Sequence, residues 1–310
     1  MKSGSITLVF SSLCFASAAC SQPLPDIRIM DTEVFPESIS AGTDGTIYTG
    51  SVKGNVYRAA PGADQAHAWI RHNEDNGILT ILGVLADDAH NTLWLCSVPN
   101  AFGPERSEGI SALKAFDLES GELRGSYDFP PPASACNDVT IAPDGSAFAS
   151  DTPNGRIFRL EPQAKALALF GSDPELVGID GIAFSEDGTL YANNVRSQKI
   201  YRIESAQDGN MGNIVTLDVS HELGGPDGMR LVSGNRFIQA ESTTGRLSIV
   251  DIEGNIARMT VLRDDLLSSP GATVVNNTVY VIESNIGYLF NPDLRGQEIP
   301  PFMLYAIPLP

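Results

Sequence analysis

One pattern recurs along this chain: an apolar strand, a turn close to Asp-Gly, a second strand bearing an aromatic, then a third strand. The clearest copies read PESISAGTDGTIYTG and GNVYR from Pro36, NDVTIAPDGSAFASD and GRIFRL from Asn137, and DGIAFSEDGTLYANN and KIYRI from Asp180. Weaker copies begin at Gly83, Asp227 and Pro270. With Glu37, Gly83, Asn137, Asp180, Asp227 and Pro270 as anchors, successive copies are 46, 54, 43, 47 and 43 residues apart. The turn residue falls at a constant offset in Asp44, His90, Asp144, Asp187, Gly234 and Asn277, and the aromatic follows in Tyr48, Trp94, Phe148, Tyr191, Phe237 and Tyr280. One small sheet cannot bury both faces until neighbours stack on it. A period in the forties made of short strands therefore predicts an all-β, six-bladed β-propeller with four antiparallel strands per blade, rather than a sandwich or an irregular barrel.

The outer strand of each blade is read in AHAWIRH, GELRGSYDF, ALALF, NIVTLDV and ARMTVL, each just ahead of an anchor. IRIMD at 27–31 precedes Glu37 in the same way, so the N-terminal strand is expected to complete the last blade. Closing the ring removes an edge that would otherwise pair with other molecules.

Ahead of this domain, residues 1–20 carry Lys2, an apolar run from Ile6 to Phe15 and small residues before Cys20. They read as a secretory signal cleaved after Ala18 or Ala19, with 21–310 forming the single propeller domain. Cleavage directly before Cys20 would instead give a lipid-anchored protein, although Ser17 stands where such signals usually have Leu. No later segment is apolar for long enough to span a bilayer. The expected setting is exported, periplasmic or secreted. Thirty-eight acidic against twenty basic residues, a formal charge of −18, argue against nucleic acid or anionic lipid as partners and leave a small-molecule substrate. A closed ring needs no second copy, so a monomer is expected. Cys96 and Cys136 fall at the same end of adjacent blades, so either a disulfide or two buried thiols suits them.

If the first strand of each blade lines the channel, the anchors and the loops after the second strands share one face, while the Asp-Gly turns lie on the other. The 54-residue interval reflects an insert at 98–111, VPNAFGPERSEGIS, on the anchor face, suited to a lid or to a tolerated loop. Four anchors are polar where a channel strand could be apolar: Glu37, Asn137, Asp180 and Asp227. They converge on the axis. Three carboxylates brought together repel and raise one another's pKa, a conflict that a cation resolves. Donors that are all hard oxygens, with no Cys or His, favour calcium, magnesium or manganese over zinc or copper. The competing reading is that Asp138, Asp180 and Asp227 only cap turns. Asp151, Asn194, Glu241 and Glu283 end second strands on the same face and are candidates to line the pocket, or to form turns. His72 and His221 lie in loops on that face, whereas His90 occupies a turn and His67 an outer strand.

PES at 36–38, CND at 136–138, IDG at 179–181 and PDGM at 226–229 resemble the ligand motifs of the SMP-30/gluconolactonase/luciferin-regenerating-enzyme family, a propeller group related to the paraoxonases. The resemblance covers the whole mature chain. It implies one divalent cation on the axis, calcium foremost with magnesium, manganese or zinc as alternatives, at Glu37, Asn137, Asp180 and Asp227. It implies lactone or ester hydrolysis with Asp227 as ligand and base, for which His72 and His221 compete. Asp180 stands where the family usually has Asn, and Ala135 where gluconolactonase-like members carry Arg. Sugar-lactone specificity is therefore not implied. Two rival readings stand beside hydrolysis: a ring-forming cyclase, Diels-Alder-type, of secondary metabolism using the same channel, and a non-catalytic binding propeller with a structural ion. No Gly-x-Ser-x-Gly elbow, phosphate loop or cysteine nucleophile offers a different chemistry.

Overall fold

The computed structural model describes Met1, residues 24–99 and residues 108–310. The signal, its cleavage points, Cys20 and most of the 98–111 insert lie outside the described residues. In chain order a short strand, β1 (Ile27–Ile29), precedes β2 (Pro36–Ala41), β3 (Ile47–Ser51), β4 (Val56–Ala59) and β5 (Gln65–Ile70). Next come β6 (Thr80–Asp87), β7 (Thr92–Val98), β8 (Ala112–Asp117) and β9 (Leu123–Asp128), then β10 (Cys136–Ile141), β11 (Ala147–Asp151), β12 (Arg156–Leu160) and β13 (Ala168–Ser172). β14 (Ile179–Phe184), β15 (Leu190–Asn194), β16 (Lys199–Ser205) and β17 (Met211–Thr216) repeat the set. A short β18 (Asp218–Val219) leads to β19 (Pro226–Ser233), β20 (Arg236–Glu241), β21 (Arg246–Glu253) and β22 (Ile256–Arg263). The chain ends with β23 (Ala272–Val275), β24 (Thr278–Glu283), a one-turn α1 (Gly287–Phe290) and β25 (Met303–Pro308).

Each set forms an antiparallel sheet in sequence order. The first strands stand side by side in a closed circuit, β2 against β6, then β10, β14, β19, β23 and back to β2. Repeated sheets arranged around an axis make the fold a β-propeller. The second-strand aromatics weld one sheet to the next: Phe148 meets Phe184 of the following sheet at 5.1 Å, and Tyr191 meets Phe237 at 5.3 Å. Burial falls from axis to rim, so β2 is buried almost throughout while β9 is mostly exposed.

The turns follow from their residues. Asp44 Oδ1 accepts the Thr46 N–H at 2.8 Å and Asp144 Oδ1 accepts that of Ser146 at 2.9 Å, while Gly45 and Gly145 take φ of +88° and +84°, which L side chains rarely adopt. The N-terminal strand closes the ring as its alternation predicts, with Ile27 opposite Leu304 on β25 and both Ile27 and Ile29 buried. It does more than was expected, because it also pairs in parallel with β5, merging the first and last sheets into one of eight strands. Of the two options for the cysteines, the structure takes the disulfide, Cys96 on β7 joined to Cys136 on β10.

Candidate functional site

The anchors owe their orientation to a repeated irregularity. The pairing register shifts between Pro36 and Ser38, between Cys136 and Val139, between Ile179 and Ile182, and between Pro226 and Met229. Such bulges re-aim a side chain away from the regular alternation. Glu37, Asn137, Asp180 and Asp227 occupy these four places. The structure places them as neighbours: Asn137 donates through Nδ2 to Asp180 Oδ2 at 3.0 Å, Asp180 and Asp227 are close enough for each to shift the other's pKa, and Glu37 feels the charges of both.

All three acids are buried. Burial, followed by repulsion from neighbouring carboxylates, holds Glu37 and Asp180 well above the usual carboxylate range. Burial also pushes Asp227 up to about 7, against hydrogen bonds from Ser242 and Asp180 that pull it down. The cluster therefore favours protons unless another positive charge takes their place.

One positive charge is built in. Arg230 on β19 grips both oxygens of Asp138, at 2.7 and 2.8 Å, and its field lowers the pKa of Glu37. Asp138 is thus a channel residue with a fixed partner, not a turn cap. Neither Arg230 nor the role of Asp138 was read from the sequence.

The family model described as SMP-30/Gluconolactonase/LRE-like region matches residues 83–282. The chain belongs to this family. A second model, strictosidine synthase-like, N-terminal, matches residues 21–59. No curated protein matches the sequence. Among solved structures, the luciferin-regenerating enzyme superposes with a TM-score of 0.66 at 12% identity over 89% of this chain and 91% of its own. The gluconolactonase of Xanthomonas campestris gives 0.64 at 16% identity over 93% and 89%. Virginiamycin B lyase from Staphylococcus aureus, crystallised with quinupristin, gives 0.59 at 13% over 92% and 98%.

Family membership implies a divalent cation, and the donor set suits one. Every candidate donor is a hard oxygen, three belong to buried acids, and the Asn137 amide nitrogen is already committed to Asp180 and to Thr152 Oγ1 at 2.8 Å, leaving its carbonyl oxygen as the donor. Among the described residues no three His, Cys, Asp or Glu side chains already stand in a ready cation cage. The acid side chains would have to rearrange to form one.

The other residues singled out in the sequence lie elsewhere. His72 is exposed two residues beyond the outer strand β5, its N–H bonded to Asn55. His221 follows β18, which pairs with the outermost strand β22. Neither histidine is among the hydrogen-bonding partners of the cluster.

Asp151, Asn194, Glu241 and Glu283 do end second strands on the anchor face, but their polar atoms tie down the loops that enter the first strands. Asp151 accepts the Ala135 N–H, Glu241 that of Gly224 and Glu283 that of Leu267, while Asn194 donates to the Val177 carbonyl. Ser51 and Ser97 perform the same tie to Val34 and Leu79. These hydrogen bonds give the four positions a structural role in holding the loops.

Proposed function

We propose that this protein is an exported, metal-dependent hydrolase of lactones or esters, built as a six-bladed propeller and acting as a monomer. The observation that carries the reading is the convergence of Glu37, Asp180 and Asp227, three buried acids held at raised pKa on one axis. Membership of a family with gluconolactonases among its structural neighbours supports hydrolysis as the reaction class. The eight-stranded sheet is read as two blades joined by β1, which brings the blade count to six. The Cys96–Cys136 disulfide supports an oxidising, exported setting.

Glu37, Asn137, Asp180 and Asp227 would hold the cation, with calcium the first choice. When bound, a divalent cation supplies electrophilic polarisation of a carbonyl oxygen. The chain's own residues do the rest. The Asp227 carboxylate, one of the buried acids on the axis, is the group placed to accept a proton from the attacking water. The hydrophobic clusters between the sheets keep the ligand strands rigid.

The match of 21–59 to a strictosidine synthase-like model favours one rival, a ring-forming enzyme using the same channel. A panel of lactones and aryl esters, assayed after chelation and again with each divalent cation restored, separates the two. Turnover that returns with one cation and drops at least a hundredfold in Asp227→Asn is expected for the hydrolase, on the order of a lost general base. A folded, cation-loaded protein silent across the panel would defeat hydrolysis.

A further inference from the structure

Arg230 reaches across the channel. It stands three residues beyond Asp227, and besides Asp138 on β10 it donates to the Val84 carbonyl on β6 at 3.2 Å. In the circuit of first strands β6 is diametrically opposite β19, so the side chain crosses the axis. Below it the channel opens into a cavity of about 420 Å³ towards the turn face, lined by all the first strands, with Arg230 among its walls.

The residue that Arg230 grips is wired into the next strand. Asp138 Oδ2 also accepts the N–H of Ile182 at 3.1 Å, two positions beyond Asp180. Ser150 Oγ accepts the Asp138 N–H at 3.0 Å and donates to the Asp180 carbonyl at 2.8 Å. One bidentate pair therefore joins β19, β10 and β14, the strands of Asp227, Asn137 and Asp180. Only a planar guanidinium can hold two carboxylate oxygens and keep a further N–H for a third strand.

We propose that Arg230 is a positioning residue: through Asp138 it fixes the relative placement of the strands carrying Asn137, Asp180 and Asp227, from which those side chains can turn onto one divalent cation. The role rests on the cation reading of the cluster given above. A role through charge alone makes the opposite prediction, because removing a positive charge near the cluster would tighten cation binding.

The test is calcium titration by calorimetry of the purified protein and of Arg230→Lys, Arg230→Met, Asp138→Asn and the Asp138→Asn/Arg230→Met double variant, with a thermal melt of each. Weakening of about tenfold or more is expected in both Arg230 variants, as is usual for residues that orient metal ligands. Asp138→Asn should weaken binding similarly, and the double variant should be no worse than the weaker single one, since all act through one contact. If Arg230→Met fails to fold, Arg230→Lys and Asp138→Asn carry the comparison. Tighter binding by Arg230→Met with Arg230→Lys unchanged would overturn the proposal in favour of charge alone. Unchanged affinity with only a lower melting temperature would reduce Arg230 to a structural residue. No calcium binding by the unsubstituted protein would bring down the cation reading and this role together, whereas binding that ignores every substitution brings down this role only.

Discussion

Two sets of buried acids lie within a few residues of each other on the anchor face, and they are treated in opposite ways. At the ends of the second strands, Asp151 and Glu241 are fully buried and each is met by an arginine five residues on, Arg156 and Arg246. At the starts of the first strands, Glu37, Asp180 and Asp227 are also buried, though less completely, and feel one another's charge. The first set is neutralised from within the chain and serves as structure. The second is left with a deficit of positive charge that something outside the chain can fill. Burial alone does not mark a site; uncompensated burial does.

The contrast breaks most sharply by substitution. Asp151→Ala or Glu241→Ala leaves a buried guanidinium unpaired and frees a loop, so each should cost about 3–5 kcal/mol in urea unfolding. Asp180→Asn, made in chelator-treated protein, removes a buried carboxyl that has no cationic partner and should leave stability unchanged or raise it by about 1 kcal/mol. Comparable losses in both sets would erase the distinction.

A smaller effect is expected from pH. Asp227 has a folded pKa of about 7 against an unfolded value of 3.8, so the folded state binds the extra proton. Its contribution is fully present below about pH 4 and is lost as pH rises through 7, at up to about 1.4 kcal/mol per unit. Melting temperatures of chelator-treated wild type minus those of Asp227→Asn, taken from pH 4 to 8, should fall across that window, and saturating calcium should flatten the slope. A flat difference without calcium would show that Asp227 is compensated after all. The smallest change is reserved for Ser242→Ala. Losing a hydrogen bond that favours the charged form should move the same window upward by less than about one pH unit.

The repeat carried most of the fold because each strand, turn and aromatic recurs at a fixed offset, and errors in one copy are corrected by the others. The four polar anchors were legible for the same reason, standing out against an apolar register. The bulges that aim them were not, since a register shift depends on the partner strand. Arg230 was hidden because one arginine in a strand reads as solvent-facing until the opposite wall of the channel is known. The loop ties could have been found: DTPNGR at 151–156 and ESTTGR at 241–246 place an acid five residues before an arginine across a Gly turn, a signal of internal pairing. The long segment from Ser284 to Phe302, with α1 and a further turn, falls after the last aromatic, where no following copy exists to expose it as an insertion.

The closing strand also fixes how the molecule can be held. Ile27 pairs with Leu304, so the chain before β1 runs toward the turn face, and Leu309 bonds there to Asn277 in the last turn. The chain enters β1 and leaves β25 on the side away from Glu37, Asp180 and Asp227. A label or fused domain attached beside Pro25 or Leu309 would sit behind the molecule, clear of the side that carries Glu37, Asp180 and Asp227.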